Sequence, residues 1–149
     1  MVARRSLKAK ILRSNRRSRT KFMNIKLDKR LCKDYPDIFI DRYEDMTKTA
    51  MCWGFDCGDG WYHIIDELCK KITETKPAKV PIARQVKEKY GGLRFYIDFG
   101  TEEIYNLITN ARQKSEKTCE VCGKKGSIRN KNHWYKTLCK MDAQKLNYK

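Results

Sequence analysis

Apolar side chains recur at helical spacing through Trp61, Ile64, Ile65, Leu68, Cys69 and Ile72, which predicts a helix over about 59–75 with one buried face. Asp59, at the end of a turn-rich run from Gly54, is the expected N-cap. After Lys76-Pro77 the period changes from helical to alternating. A strand-like run from Lys79 to Tyr90, the pair Gly91-Gly92 as its turn, and the alternating stretch Leu93–Phe99 predict a β-hairpin. Gly100-Thr101 then opens a second amphipathic helix over about 101–114, with Ile104, Leu107, Ile108 and Ala111 on one face and Arg112 and Lys114 in its last turn. The expected core is Trp61, Ile65, Leu68, Phe95, Ile97, Ile104 and Ile108. Between Asp28 and Asp45 acidic and aromatic residues mix, Tyr35-Pro36 stops a short helix and Ile38, Phe39 and Ile40 form an apolar patch, so this stretch reads as a connecting element. The pattern describes an α+β fold with a small helix-hairpin-helix core. It divides into a basic arm at 1–27, disordered alone, a core at 28–115, and a knuckle with a C-terminal helix at 116–149.

The knuckle carries the best chemistry. Cys119-Glu-Val-Cys122-Gly is a Cys-x2-Cys turn that can present two thiolates to one tetrahedral ion, and Cys139 follows after sixteen intervening residues as part of a second half-site. A zinc site usually closes with Cys or His three residues on, but position 142 is Asp. The expected zinc ligands are Cys119, Cys122, Cys139 and Asp142, with His133 as the alternative fourth, since Asp142 lies one helical turn after Cys139. Zinc saturated by protein ligands is structural, and the knuckle is expected to be treble-clef-like. Of the other cysteines, Cys69 belongs to a helical core face, while Cys52 and Cys57, spaced x4, can be read as half of a second metal site or as a redox pair, although no partner half-site is in view.

Charge changes the picture. The net +16 splits into +11 over residues 1–30, −3 over 31–110 and +8 over 111–149. Basic ends around a near-neutral middle point to a polyanion partner held by the arm and the knuckle. In the arm, Arg4, Arg5, Arg13, Arg16, Arg17 and Arg19 stand among serines and can fork hydrogen bonds to phosphate. Lys124, Lys125, Arg129 and Lys131 supply a second basic surface. Trp134 and Tyr135 can stack on bases, although beside a metal site the core is their expected place. A basic tail also fits an inert terminus or a targeting segment, and its acid-free, Arg/Ser-rich start resembles a transit peptide. No run of about 18 apolar residues and no secretory leader are present, so no membrane partner, reduced thiols and a cytoplasmic location are expected.

Catalytic candidates are thin. His63 and His133 are the only histidines, and no phosphate-binding Gly-rich loop, His-Glu-x-x-His or Ser-His-Asp set occurs. Asp56, Asp59 and Asp66 are explained as cap and solvated helix residues. No catalytic residue is assigned, and the protein is not expected to be an enzyme.

The stretches Gly58-Asp-Gly-Trp61 (GDGW), Lys87–Tyr96 (KEKYGGLRFY) and Cys119-x2-Cys122-Gly with Leu138-Cys139 resemble those of a group of short uncharacterised phage and bacterial proteins. The likeness spans about residues 54–143 and implies a phage origin but no activity. The group closes its cysteine pattern with Cys-x2-His, so Asp142 is a departure. Together these readings make a zinc-containing nucleic-acid-binding accessory protein, binding RNA or DNA through the backbone. The alternative is a host-takeover or anti-defence protein that binds and inhibits a host protein.

Overall fold

The structure is a computed structural model and describes residues 22–149. Arg4, Arg5, Arg13, Arg16, Arg17 and Arg19 lie outside the described residues, as does most of the arm. The fold is mixed α+β. Its elements in order are α1 (Ile25–Asp34), β1 (Phe55–Asp56), α2 (Tyr62–Glu74), β2 (Ala83–Lys89), β3 (Gly92–Ile97), α3 (Glu102–Ser115), β4 (Ser127–Lys131), β5 (Trp134–Leu138) and α4 (Lys140–Leu146). One sheet runs β1-β2-β3, with β1 parallel to β2 and β2 antiparallel to β3. The other is the β4–β5 hairpin.

Helix α2 follows a 3-10 turn at Asp59–Trp61 and buries Ile64, Ile65, Leu68, Cys69 and Ile72, the face its spacing predicts. Helix α3 starts where the Thr101 hydroxyl accepts from the Ile104 N–H at 3.3 Å. Asp59 does not cap its own helix. Its carboxylate instead accepts from the Asn24 N–H at 2.7 Å, and the Asn24 side chain in turn caps α1. A long-range bond has replaced the local one.

The hairpin turn falls one residue earlier than expected, at Tyr90-Gly91, both with positive φ (54° and 79°), and Lys89 pairs with Gly92. Such a two-residue turn matches the twist of its strands. Glu88 Oε1 accepts the Gly91 N–H at 2.8 Å. A Cβ on Gly92 would lie 2.9 Å from the ends of the Arg94 and Glu116 side chains, both of which can turn aside. The ladder starts at Ala83 rather than Lys79: Pro81 has no N–H to pair, and Ile82 donates to Asp98 Oδ1 at 2.7 Å.

Helix α1 begins inside the segment read as arm, and Met23 before it is buried. The stretch read as a connector is a wall of the core. Asp28 and Arg42 are buried together, with the guanidinium forked onto the carboxylate at 2.9–3.2 Å and its other nitrogen on the Cys52 carbonyl at 3.0 Å. Trp61, Ile65, Leu68, Phe95 and Ile104 are core as expected, while Ile97 and Ile108 sit half-buried at its edge. Phe39 closes the centre, its ring edge-on to Phe55 at 5.0 Å and to Phe95 at 6.1 Å.

Candidate metal centre

The knuckle turn is closed by the backbone. Cys119 N–H donates to the Lys124 carbonyl at 2.7 Å, Gly123 N–H donates to the Cys119 carbonyl at 2.9 Å, and Gly123 takes φ +76°, which glycine adopts without a Cβ penalty. Strands β4 and β5 return the chain to Cys139, which caps α4: its sulfur accepts from the Asp142 N–H at 3.4 Å. One turn of helix then aims the Asp142 carboxylate at the same point.

The result is a cluster. Asp142 Oδ2 lies 3.3 Å from Cys119 Sγ and 3.2 Å from Cys139 Sγ, and Cys122 Sγ lies 3.7 Å from Cys139 Sγ. One ligand atom from each of the four residues lies within 4.8 Å of the others, so the group can hold a metal ion. His133 is outside it, in the β4–β5 turn. Cys119 and Asp142 are buried, Cys139 is half-buried and Cys122 exposed. Hydrogen bonding from the Cys122 thiol, and from Cys139 and Cys119, holds the Asp142 carboxyl below its ordinary value against the effect of its burial. Three sulfurs and one carboxylate suit a borderline-soft ion rather than magnesium or calcium. No other group of three or more such ligands is gathered among the described residues. The Cys52 thiol instead donates to the Thr49 carbonyl at 3.2 Å, and complete burial pushes the Cys57 thiol well above its ordinary value.

The centre is seated on the core through the Gly58-Asp-Gly-Trp61 turn. Gly60 N–H donates to the Glu120 carbonyl at 2.8 Å, Gly58 N–H to Glu120 Oε1 at 3.0 Å, and Trp61 Nε1 to the Thr118 carbonyl at 2.8 Å. A Cβ on Gly60 would lie 2.1 Å from the Cys119 carbonyl oxygen, and one on Gly58 would lie 2.3 Å from that of Glu120. Only glycine permits so close an approach of two backbones. Burial pushes the Glu120 carboxyl up. It also works against the Lys136 ammonium 3.0 Å away, but Glu120 more than offsets this and leaves Lys136 above its ordinary value, as an ion pair requires. On the other side the Thr137 hydroxyl donates to the Gly91 carbonyl at 2.5 Å. The three motifs noted in the sequence therefore meet at one interface, which their separation along the chain did not reveal. The available signal was the Gly-x-Gly spacing ahead of a tryptophan.

Of the residues expected to contact nucleic acid, Lys124 and Lys125 are exposed beside the centre and Arg129 is half-buried. Lys131 is exposed, but its ammonium donates to the Leu146 carbonyl at 2.9 Å and lies 5.7 Å from the Tyr148 ring centre. Trp134 and Tyr135 are not core; they are 73% and 40% exposed. The module fills its small interior with Cys119, Leu138 and Ala143, against which Leu146 and Tyr148 pack, and has no room for the two rings. Among the described residues no helix is long and apolar enough to cross a membrane. Comparisons with protein-family models, curated proteins and solved structures gave no match.

Proposed function

We propose that the protein is a small zinc-containing nucleic-acid-binding accessory protein and not an enzyme. Tetrahedral zinc with bonds of about 2.3 Å to sulfur and about 2.1 Å to oxygen separates two sulfurs by about 3.8 Å and a sulfur from an oxygen by about 3.6 Å. The observed 3.7 Å and 3.2–3.3 Å are close to those values, so zinc fits with a shift of a few tenths of an ångström. The order of knuckle, hairpin and helix, with the last two ligands in the first turn of α4, supports a treble-clef-like module. Four protein ligands leave no open coordination position for a substrate, which favours a structural ion.

The observation that carries the nucleic-acid reading is the placement of charge. The positive excess lies in the arm and the metal module, and Lys124 and Lys125 stand exposed on the loop that carries two of the ligands. Phosphate backbones are the partner that such a distribution suits, with Arg4, Arg5, Arg13, Arg16, Arg17 and Arg19 adding contacts from the arm. Binding to RNA and DNA should be measured against salt for the full chain and for a chain lacking residues 1–21. If about six arginines each neutralise a phosphate, log affinity falls with log salt at a slope of about −4 to −5, and the deletion flattens it. An unchanged slope would remove the arm from the account. Absence of binding, together with stoichiometric capture of a host protein after nuclease treatment, would favour the inhibitor reading instead.

A further inference from the structure

We propose that the β4–β5 hairpin is a stacking platform for unpaired bases, so that the polyanion this protein takes is a single-stranded polynucleotide. The inference rests on the nucleic-acid reading above and deepens it. The hairpin register places Trp134 opposite Lys131 and Tyr135 opposite Asn130. Neighbours in a strand point to opposite faces, so the two rings emerge on the two sides of one ribbon, and a chain that wraps round β5 meets one after the other. Ile128, 49% exposed, lies diagonally across from Tyr135 on the same face. The surface continues past the hairpin. The Tyr90-Gly91 turn packs on this face, since a Cβ on Gly91 would lie 3.4 Å from Ile128. It brings with it the 68% exposed Tyr90, whose ring has the Lys89 ammonium 5.5 Å from its centre.

Exposure of this much aromatic surface needs a partner, and charge selects it. Neither strand carries an acid, whereas Arg129 and Lys131 lie on the Trp134 face beside Lys136, whose charge is matched by Glu120 at 3.0 Å. Of the three acids in residues 116–149, Glu120 and Asp142 are buried and Glu116 pairs with Arg112 at 3.0 Å. Flat π faces set in a cationic field match a chain of phosphates bearing free bases. In a duplex those base faces are already stacked on one another, so only a single strand can use the rings. The platform is also held in place before binding. Asn132 and His133 form a two-residue turn with φ of 50° and 65°, and His133 N–H donates to Asn130 Oδ1 at 3.1 Å. Asn130 and Lys149 exchange both backbone hydrogen bonds, at 2.9 and 3.0 Å. A hairpin backbone held this way loses little freedom when the rings stack.

The test uses the full, zinc-loaded chain with short labelled single strands of DNA and RNA and with the duplex of the same sequence, at one salt concentration and then across a salt series. The variants are Trp134→Ala, Tyr135→Ala, the double change and Trp134→Phe. Stacking is blind to the sugar, so both kinds of single strand should bind more tightly than the duplex. Each alanine should weaken single-strand binding by about 5- to 150-fold while leaving duplex affinity and the salt slope unchanged. Trp134→Phe should keep most of the affinity. A double variant that binds single strands like the parent, or loses single strand and duplex equally, would overturn the platform and leave backbone binding standing. Failure of the parent to bind any of the nucleic acids at low salt would overturn both readings.

Discussion

Replacing Gly60 by alanine should separate the metal module from the core. The added Cβ would stand 2.1 Å from the Cys119 carbonyl oxygen, 2.6 Å from the Gly123 nitrogen and 2.7 Å from the Glu120 carbonyl carbon. All three are backbone atoms, so none can rotate away, and the knuckle must retreat by about 1.4 Å to bring the nearest of them to ordinary contact at about 3.5 Å. That retreat stretches the 2.8 Å bond from Gly60 to Glu120 and strains the one from Trp61 Nε1 to Thr118. Overpacking typically costs about 1–3 kcal/mol, and a lost hydrogen bond adds about 1 kcal/mol, so the expected loss is about 2–4 kcal/mol. This is a large part of the roughly 5–15 kcal/mol that holds a domain of ordinary stability. Urea unfolding of the zinc-loaded protein, followed by circular dichroism, should show the midpoint falling by about 1–2 M. Gly100→Ala is the internal control. Its Cβ would meet the end of the Ile97 side chain at 2.7 Å, which can turn aside, and the cost should stay under about 1 kcal/mol. A Gly60→Ala protein within about 0.5 kcal/mol of the parent would refute the close-approach argument.

Three further outcomes follow from the geometry. Arg42→Ala leaves the Asp28 carboxylate buried without its guanidinium and should cost about 3–5 kcal/mol in urea unfolding; a loss under about 1 kcal/mol would contradict the buried pair. Lys114, followed by Lys71, holds the Glu67 carboxyl down at about 2, below its ordinary 4.5. A lowered carboxylate contributes above its ordinary value, so the parent's advantage over Glu67→Gln should be complete above pH 4.5 and gone by about pH 2; with the carboxylate 43% exposed it should stay below about 1 kcal/mol. In a chelator competition, Asp142→Ala should lose zinc more than about tenfold more readily than the parent, and Asp142→Cys should hold it more tightly; equal retention in all three would exclude Asp142 as a ligand.

The parts of the fold that could be read from the sequence are those held by local periodicity. Helix α2 and the buried face of α3 follow their apolar spacing, and the three sulfurs and one carboxylate follow the two half-site spacings. Other features depended on contacts distant in the chain. Helix α1 buries Asp28 and finds its partner fourteen residues on in Arg42, so a hydrophobicity pattern counts two core residues as surface. Asp59 is spent on Asn24, thirty-five residues away. The two-residue strand β1 pairs in parallel with Val86 and Lys87, and nothing local marks Phe55 and Asp56 as strand. Trp134 and Tyr135 stand exposed although residue type favours their burial, because the small interior of the module is already filled by Cys119, Leu138 and Ala143.

Three thiolates and one carboxylate around a single zinc ion would give the metal a distinctive coordination shell. X-ray absorption at the zinc edge on the purified, zinc-replete protein reads this directly. The expected result is one zinc per chain with three sulfurs at about 2.3 Å and one oxygen at about 2.0–2.2 Å. An imidazole scattering pattern, a fourth sulfur, or a protein that retains no zinc after dialysis against metal-free buffer would contradict it.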